Sequence, residues 1–283
     1  FLEKFSTPNP YKILINQNFL IIPIFKKHNA FRHMTKDLLV QSRFKGLKIA
    51  ITGANGSLGK FLIEEFKKNG AYVFGLTHSS KNDSKTFEAK PDDWIFWSCG
   101  EEKLLSNRLE QIDILILNHG FNPKEDINSK AINKAIEINS LSHWRFIQIF
   151  EELALNKNSL GKFNSKEIWI NTSEAEIQIA FSPVYEMTKR MIGELVSLKQ
   201  GKLIIEKSNS IIIKKLVLGP FKSKLNPQGI LNPKFVAREI IRKAEKKDYL
   251  IIVTPNPITY LLMPLVEYSR ILYSKLITKI YSK

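Results

Sequence analysis

Cysteine is nearly absent from this chain: Cys99 is the one thiol among 283 residues. That excludes a disulfide framework and a cysteine-built zinc site, and it suits a reducing compartment. Histidine is also scarce, at positions 28, 33, 78, 119 and 143, with no His-Glu-x-x-His pattern and no close cluster. His28 and His33 stand five apart, a poor spacing for shared ligation from one helix, so no metal is expected. Long apolar runs are missing too. Residues 12–26 are apolar in patches, but Asn16, Gln17, Asn18 and Pro23 make the stretch too short and too polar to span a bilayer. It also lacks a well-placed small-residue cleavage site, so it does not read as a secretory leader. Acidic residues are the minority charge, 27 against 43 Lys and Arg, for a net charge of +16. The lysines are spread along the chain rather than gathered with aromatics, and Asn and Ile are abundant alongside them. The excess therefore reads as compositional bias, and no nucleic-acid partner is expected.

What is present is an alternation of strand and helix patterns. Residues 1–46 read as a basic N-terminal extension. From residue 47, apolar runs at 47–51, 71–76, 94–97, 113–117, 167–171, 211–218 and 249–253 read as seven strands. Helical patterns at 59–69, 101–111, 131–154, 184–198 and 233–245 separate most of them. The run Ile114-Leu115-Ile116-Leu117 is apolar throughout, as in a parallel strand covered on both faces. The fold class is therefore α/β, a doubly wound parallel sheet over 47–256, with ligands expected outside the C-terminal ends of the strands. The tail, 257–283, reads as a basic amphipathic helix. Leu261, Leu265, Tyr268, Leu272, Leu276 and Ile280 share one face, and Glu267, Arg270 and Ser274 lie opposite. Such a helix either lies in a membrane interface or docks on the domain or a second subunit. The location expected is cytoplasmic, peripheral on a membrane.

The stretch Gly53-Ala54-Asn55-Gly56-Ser57-Leu58-Gly59 closes the first strand and opens the first helix. Glycines there let the chain turn sharply, let the backbone approach a phosphate and pack helix on strand, while the helix's first N–H groups face negative charge. Its place between strand and helix makes it a candidate dinucleotide site of a Rossmann fold, with Gly53, Asn55, Gly56, Ser57, Leu58 and Gly59 in contact.

Tyr185 is the one tyrosine with a lysine four residues on, Lys189. Residues so spaced share a helix face. A free phenol ionises only near pH ~10, and a cation within roughly 4–6 Å lowers that value. Tyr185 would then act as a proton donor or acceptor near neutrality. Ser173 stands just past the fifth strand, twelve positions before Tyr185, where its hydroxyl could reach the same substrate oxygen. Asn118-His119-Gly120 ends the fourth strand, and Asn139 lies in the next helix, where an amide is unfavourable unless it bonds something specific or faces solvent.

Together these residues resemble the short-chain dehydrogenase/reductase family over about 47–254. The order is that family's: glycine loop, Asn-x-Gly, Asn, Ser, then Tyr-x-x-x-Lys. The resemblance implies that Tyr185 is the catalytic acid/base, that Lys189 tunes it and holds the nicotinamide ribose, and that Ser173 polarises the carbonyl. It also implies that Asn139 holds a relay water, that Asn118, His119 and Gly120 line the cofactor channel, and that copies pair as homodimers or homotetramers. There are departures. The glycine spacing, Gly-x-x-Gly-x-x-Gly, is closer to the family's extended branch of sugar-nucleotide epimerases and dehydratases. His119 replaces an alanine, and Gly219-Pro220 reverses the usual order. Glu174 and Glu176 read as solvated loop charges near the mouth. The Asn171–Glu176 and Gly219–Ser223 segments are also similar to proteins labelled bifunctional sterol desaturase/short-chain dehydrogenase, although the clustered histidines of a desaturase are missing.

Cofactor preference is read at the end of the second strand. Leu76-Thr77-His78-Ser79-Ser80-Lys81 has no carboxylate before Asp83. Hydroxyls (Thr77, Ser79) and a lysine suit a 2′-phosphate, so NADP is expected ahead of NAD. The function expected is NADP(H)-dependent hydride transfer to or from a carbonyl or secondary alcohol, the substrate being a small and lipophilic molecule. The alternatives are a nucleotide-sugar epimerase or dehydratase, and a non-catalytic dinucleotide-binding protein.

Overall fold

The computed structural model describes residues 42–79, 87–156, 165–206, 208, 211–246 and 248–281. The expectations for the N-terminal extension, including the 12–26 stretch, His28 and His33, and for Ser80 and Lys81, lie outside these residues.

Seven parallel strands form one sheet in the order β3-β2-β1-β4-β5-β6-β7. They are β1 (Lys48–Thr52), β2 (Tyr72–Thr77), β3 (Asp93–Phe96), β4 (Ile114–Leu117), β5 (Lys166–Ser173), β6 (Ile211–Leu218) and β7 (Leu250–Val253). β1 pairs with both β2 and β4, so the strand order reverses between β1 and β4, the point at which open parallel sheets generally place their ligands. Helices cover both faces. α1 (Gly59–Lys68) and α6 (Pro233–Glu245) lie on one side. The short α2 (Ser106–Leu109), α4 (Ser142–Leu155) and α5 (Pro183–Ile205) pack on the other. α1 ends where expected, because Gly70 takes φ +79° just beyond the cap Asn69.

Each face has its own apolar core. Phe44, Phe66 and Trp169 interlock at the first, with ring centroids 5.1–6.0 Å apart. Leu115, Phe146, Phe150 and Ile170 belong to the second. The compact unit begins at Ser42 rather than at residue 47. Phe44 is fully buried, and Arg43 forks onto Glu167 at 2.9 and 3.1 Å, tying the approach to β1 into the sheet.

The helix expected at 131–154 is continuous but not uniform. α3 (Ser129–Ile136) runs into α4 through one π-helical turn, Glu137–Leu141. Such turns place one extra residue in the helix and recur at functional sites.

The last helix, α7 (Pro257–Tyr281), packs on α5 with its polar side inward. Thr259, Glu267 and Ser274 are buried with Met263 and Ile271, whereas Leu261, Leu265, Tyr268, Leu272, Leu276 and Ile280 are all exposed. Ion pairs, buried at Lys215, Glu176 and Glu267 and half-exposed at Glu194, hold this inverted contact. Lys215 of β6 meets Glu267 at 2.6 Å and Glu176 at 3.4 Å, and Arg270 meets Glu176 at 2.7 Å and Glu194 at 2.6 Å. Glu176 is therefore no solvated loop charge. Its carboxylate fills the space left by the missing side chain of Gly193, where a Cβ would sit 1.9 Å from Oε2. Gly201 likewise admits Ser274, with a would-be Cβ 2.6 Å from its Oγ, so the two helices approach closely. Among the described residues, no helix is long and apolar enough to cross a membrane.

Candidate active site

The loop after β1 turns because Gly53 adopts φ +61°, a conformation that side chains disfavour. A Cβ on Gly59 would meet the Gly53 carbonyl oxygen at 2.3 Å, so only glycine lets α1 start against this turn. Gly56 N–H donates to Gly53 O at 2.9 Å, Asn55 and Gly56 are exposed, and Ser57 is half-buried. Leu58 is buried in the core and offers the loop only its backbone. No side chain caps the first turn of α1. A tight turn, exposed backbone and an uncapped helix end together fit a pyrophosphate.

Thr52, a polar residue ending an apolar strand, organises the neighbouring loop. Its hydroxyl accepts from Asn118 N–H at 2.9 Å and His119 N–H at 3.2 Å, and it lies 2.8 Å from His119 Nδ1. His119 turns its ring inward. Nε2 lies 3.1 Å from Ser142 Oγ, and the ring stacks on His143 at 4.2 Å between centroids. Burial, with a smaller contribution from the Lys189 charge, pushes His119 down to about 3, and burial also holds His143 well below the usual range. His119 thus meets the crevice through its backbone, and its imidazole braces the wall. A Cβ on Gly120 would make only an ordinary van der Waals contact, with Asn139 Oδ1 at 3.4 Å.

Tyr185, Ser173 and Lys189 come together at the C-terminal end of β5. Ser173 closes the strand, and Tyr185 and Lys189 lie on the first turns of α5, which starts at Pro183. The Ser173 hydroxyl faces the phenol and favours its ionised form. It also accepts from Ala175 N–H at 3.2 Å. Lys189 is buried, with Nζ 5.6 Å from the Tyr185 ring centroid and donating to Asn171 O at 3.0 Å. Lys189 was expected to lower the Tyr185 value, but burial instead pushes it up to about 12, opposed by the Ser173 hydroxyl. Burial pulls Lys189 down to about 8, opposed by the charge of Glu176. The phenol accordingly carries its proton at neutral pH, which suits donation to a developing alkoxide.

Asn139 sits in the π turn, fully buried. Its Oδ1 accepts from Phe121 N–H at 2.8 Å, while Nδ2 donates to Phe121 O at 2.8 Å and Thr188 Oγ1 at 3.0 Å. The amide is spent on tying the loop after β4 to the helix that carries Tyr185 and Lys189. Asn171 Nδ2 similarly donates to Asn118 Oδ1 at 3.0 Å. Sequence reasoning missed Thr52, Asn171 and Thr188, and it misread Glu176. The signal for Thr52 and Asn171 was there, since each is a polar residue inside or ending an apolar strand. At the end of β2, Thr77 is buried and its hydroxyl accepts from Ser79 N–H at 3.2 Å, a turn bond.

No family model matches the chain. A curated relative, the monoglucosyldiacylglycerol epimerase of Synechocystis sp. strain PCC 6803, is 38% identical over 240 residues. That match takes in 83% of this chain but 56% of the relative, so the chain spans little more than half of that protein's length. Among solved structures, a short chain dehydrogenase from Burkholderia cenocepacia J2315 in complex with NADP superposes with a TM-score of 0.65. It is 14% identical, over 82% of this chain and 98% of that one. The aldohexose dehydrogenase of Thermoplasma acidophilum, in ligand-free form, gives a TM-score of 0.59 at 14% identity, over 75% of this chain and 94% of that one. At such identity the likeness is one of fold. These solved structures share the seven-stranded parallel fold of this chain, on which the glycine loop, Asn, Ser and Tyr-x-x-x-Lys residues stand in the order that carries the resemblance to the short-chain dehydrogenase/reductase family.

Proposed function

We propose that this chain is an NADP(H)-dependent oxidoreductase acting at a secondary alcohol or carbonyl, with Tyr185 passing the proton. The observation that carries the reading is the convergence of Tyr185, Ser173 and Lys189 at the same edge of the sheet as the glycine turn. When bound, the nicotinamide would accept or return the hydride. Ser173 and Tyr185 hold the substrate oxygen between their hydroxyls. Tyr185 gives its proton to that oxygen in reduction and takes it back in oxidation, and the Lys189 cation stabilises the phenolate in between. Asn139 keeps loop and helix in register. Gly53, Asn55, Gly56, Ser57 and Gly59 receive the pyrophosphate, and Asn118 and Gly120 line the channel. NADP rather than NAD is favoured by the lack of a carboxylate from Leu76 to Ser79, and by the NADP bound in the Burkholderia neighbour.

The epimerase relative favours a net epimerisation. One secondary alcohol is oxidised to a ketone, and the same hydride returns to the opposite face, so no cofactor is consumed. The sugar head group of a glycosyl lipid offers such an alcohol. A nucleotide-sugar substrate is supported less, because α6, β7 and α7 complete the one sheet and its covering layers rather than a separate lobe. The exposed apolar face of α7 supports contact with a membrane, and exposed Met187 and Met191 support pairing of copies along α5.

A fluorescence titration with NADPH and NADH, followed by turnover of Tyr185→Phe, tests the reading. The expected result is tighter NADPH binding, and a loss of about 10²–10⁴-fold in turnover for the variant with dinucleotide affinity kept. Binding of neither dinucleotide, or native turnover in the variant, would overturn it.

A further inference from the structure

The exposed apolar surface does not stop at α7. Between Ser173 and Tyr185 the chain presents Ile179 at 93% and Phe181 at 102% exposure. Water-facing side chains of that size are ordinary singly but not in continuous patches. This loop is pinned. Gln178 donates to Thr259 Oγ1 at 2.7 Å and accepts from Asn256 Nδ2 at 2.7 Å, and Ala180 N–H donates to Glu186 Oε2 at 2.8 Å. The two side chains are therefore held outward beside the first turn of α7, where Ile258 and Leu261 are also exposed.

A second loop, after β6, repeats the pattern. Ile230 and Leu225 are exposed, next to exposed Lys222 and Lys224. Backbone bonds hold this loop too: Ile230 N–H to Pro220 O at 2.7 Å and Lys222 N–H to Leu231 O at 2.9 Å. Asn122 Nδ2 reaches Leu225 O at 3.4 Å, joining it to the loop after β4. In a parallel sheet the loops after β5, β6 and β7 all leave the same edge, the one bearing Tyr185.

We propose that the rim of the active site, formed by loops 177–182 and 222–231 together with the start of α7, seats on a lipid bilayer containing anionic lipid, so that the catalytic crevice opens into the membrane. The inference deepens the function proposed above by naming the source of its lipophilic substrate. Charge selects the occupant. Lys222 and Lys224 border the apolar residues, and a net charge of +16 attracts anionic head groups. The same charges oppose a second copy of this chain packed face to face on that rim.

The test is co-sedimentation of the full chain with vesicles of phosphatidylcholine alone and of phosphatidylcholine with phosphatidylglycerol. The native protein should bind the anionic vesicles more tightly, and less so as salt is raised. The double variant Ile179→Asp/Phe181→Asp should weaken that binding on the order of tenfold or more, because two large apolar side chains no longer enter the bilayer. Leu104→Asp, at an exposed site on a turn between β3 and β4, should leave vesicle binding at the native level. NADPH titration of each variant reports whether the fold is intact. Native binding by the double variant, or native protein that ignores both vesicles, would overturn the proposal. So would a dimer in sedimentation velocity that the double variant dissociates, since the rim would then belong to a second copy. Loss of NADPH binding by the native chain would instead sink the enzymatic reading and leave the vesicle result standing.

Discussion

Helices α6 and α7 have the same kind of sequence, apolar residues at helical spacing with charges opposite, yet they fold in opposite senses. α6 buries Val236, Ala237, Ile240, Ile241 and Ala244 and leaves Arg238 and Arg242 to solvent. α7 buries Glu267 and Ser274 and leaves its leucines out. Periodicity announces that a helix has two unlike faces. It does not say which one the protein wants. That choice depends on the docking surface: α6 meets the apolar face of the sheet, whereas α7 meets Lys215, Glu176 and the small residues Ser197 and Gly201.

The sharpest way to break the comparison is to place one charge on each apolar stripe. Ile240→Asp in α6 buries a carboxylate among apolar neighbours and should cost about 4–5 kcal/mol in urea unfolding. Leu265→Asp in α7 should stay within about 0.5 kcal/mol, as at an exposed site. Equal losses would mean that the α7 stripe is covered after all.

Next in size is the reverse experiment on the polar contact. Lys215→Met removes the cation between Glu176 and Glu267 and leaves buried negative charge uncompensated, at about 3–4 kcal/mol. Replacing Glu267 with Leu as well should recover part of that loss. If the single variant unfolds at the native midpoint, the ion pairs do not hold α7.

The smallest effect separates the buried ion pairs from the buried neutral histidines. His119 is held at about 3, so the unfolded chain binds more protons than the native one between that value and about 6.5. Its contribution is complete above pH 6.5 and is lost as the pH falls, by about 2 kcal/mol at pH 5. His119→Asn should flatten the stability profile between pH 7.5 and 5; an unchanged slope would show that the ring is not the group responsible.

Much of the candidate site could be read before any coordinates. Gly53, Gly59 and the four-residue interval from Tyr185 to Lys189 are local features, and local geometry decides them. Asn139 was legible as a misplaced amide, but its partners Phe121 and Thr188 are 18 and 49 residues away and left no trace in its neighbourhood. Glu176 was misread for the same reason. Its burial depends on Lys215, Arg270 and the gap at Gly193, all distant in sequence.

By itself, then, the sequence determined the alternation of strands and helices, the sharp glycine turn between β1 and α1, and the shared helix face of a phenol and an amine. Each rests on backbone propensity or on spacing within a few residues. Only the tertiary structure decided that His119 points into the wall, that an acidic loop is buried, and that the last helix turns its leucines to the outside. Those outcomes are set by which surfaces meet, through long-range ion pairs and close backbone approach that no local pattern encodes.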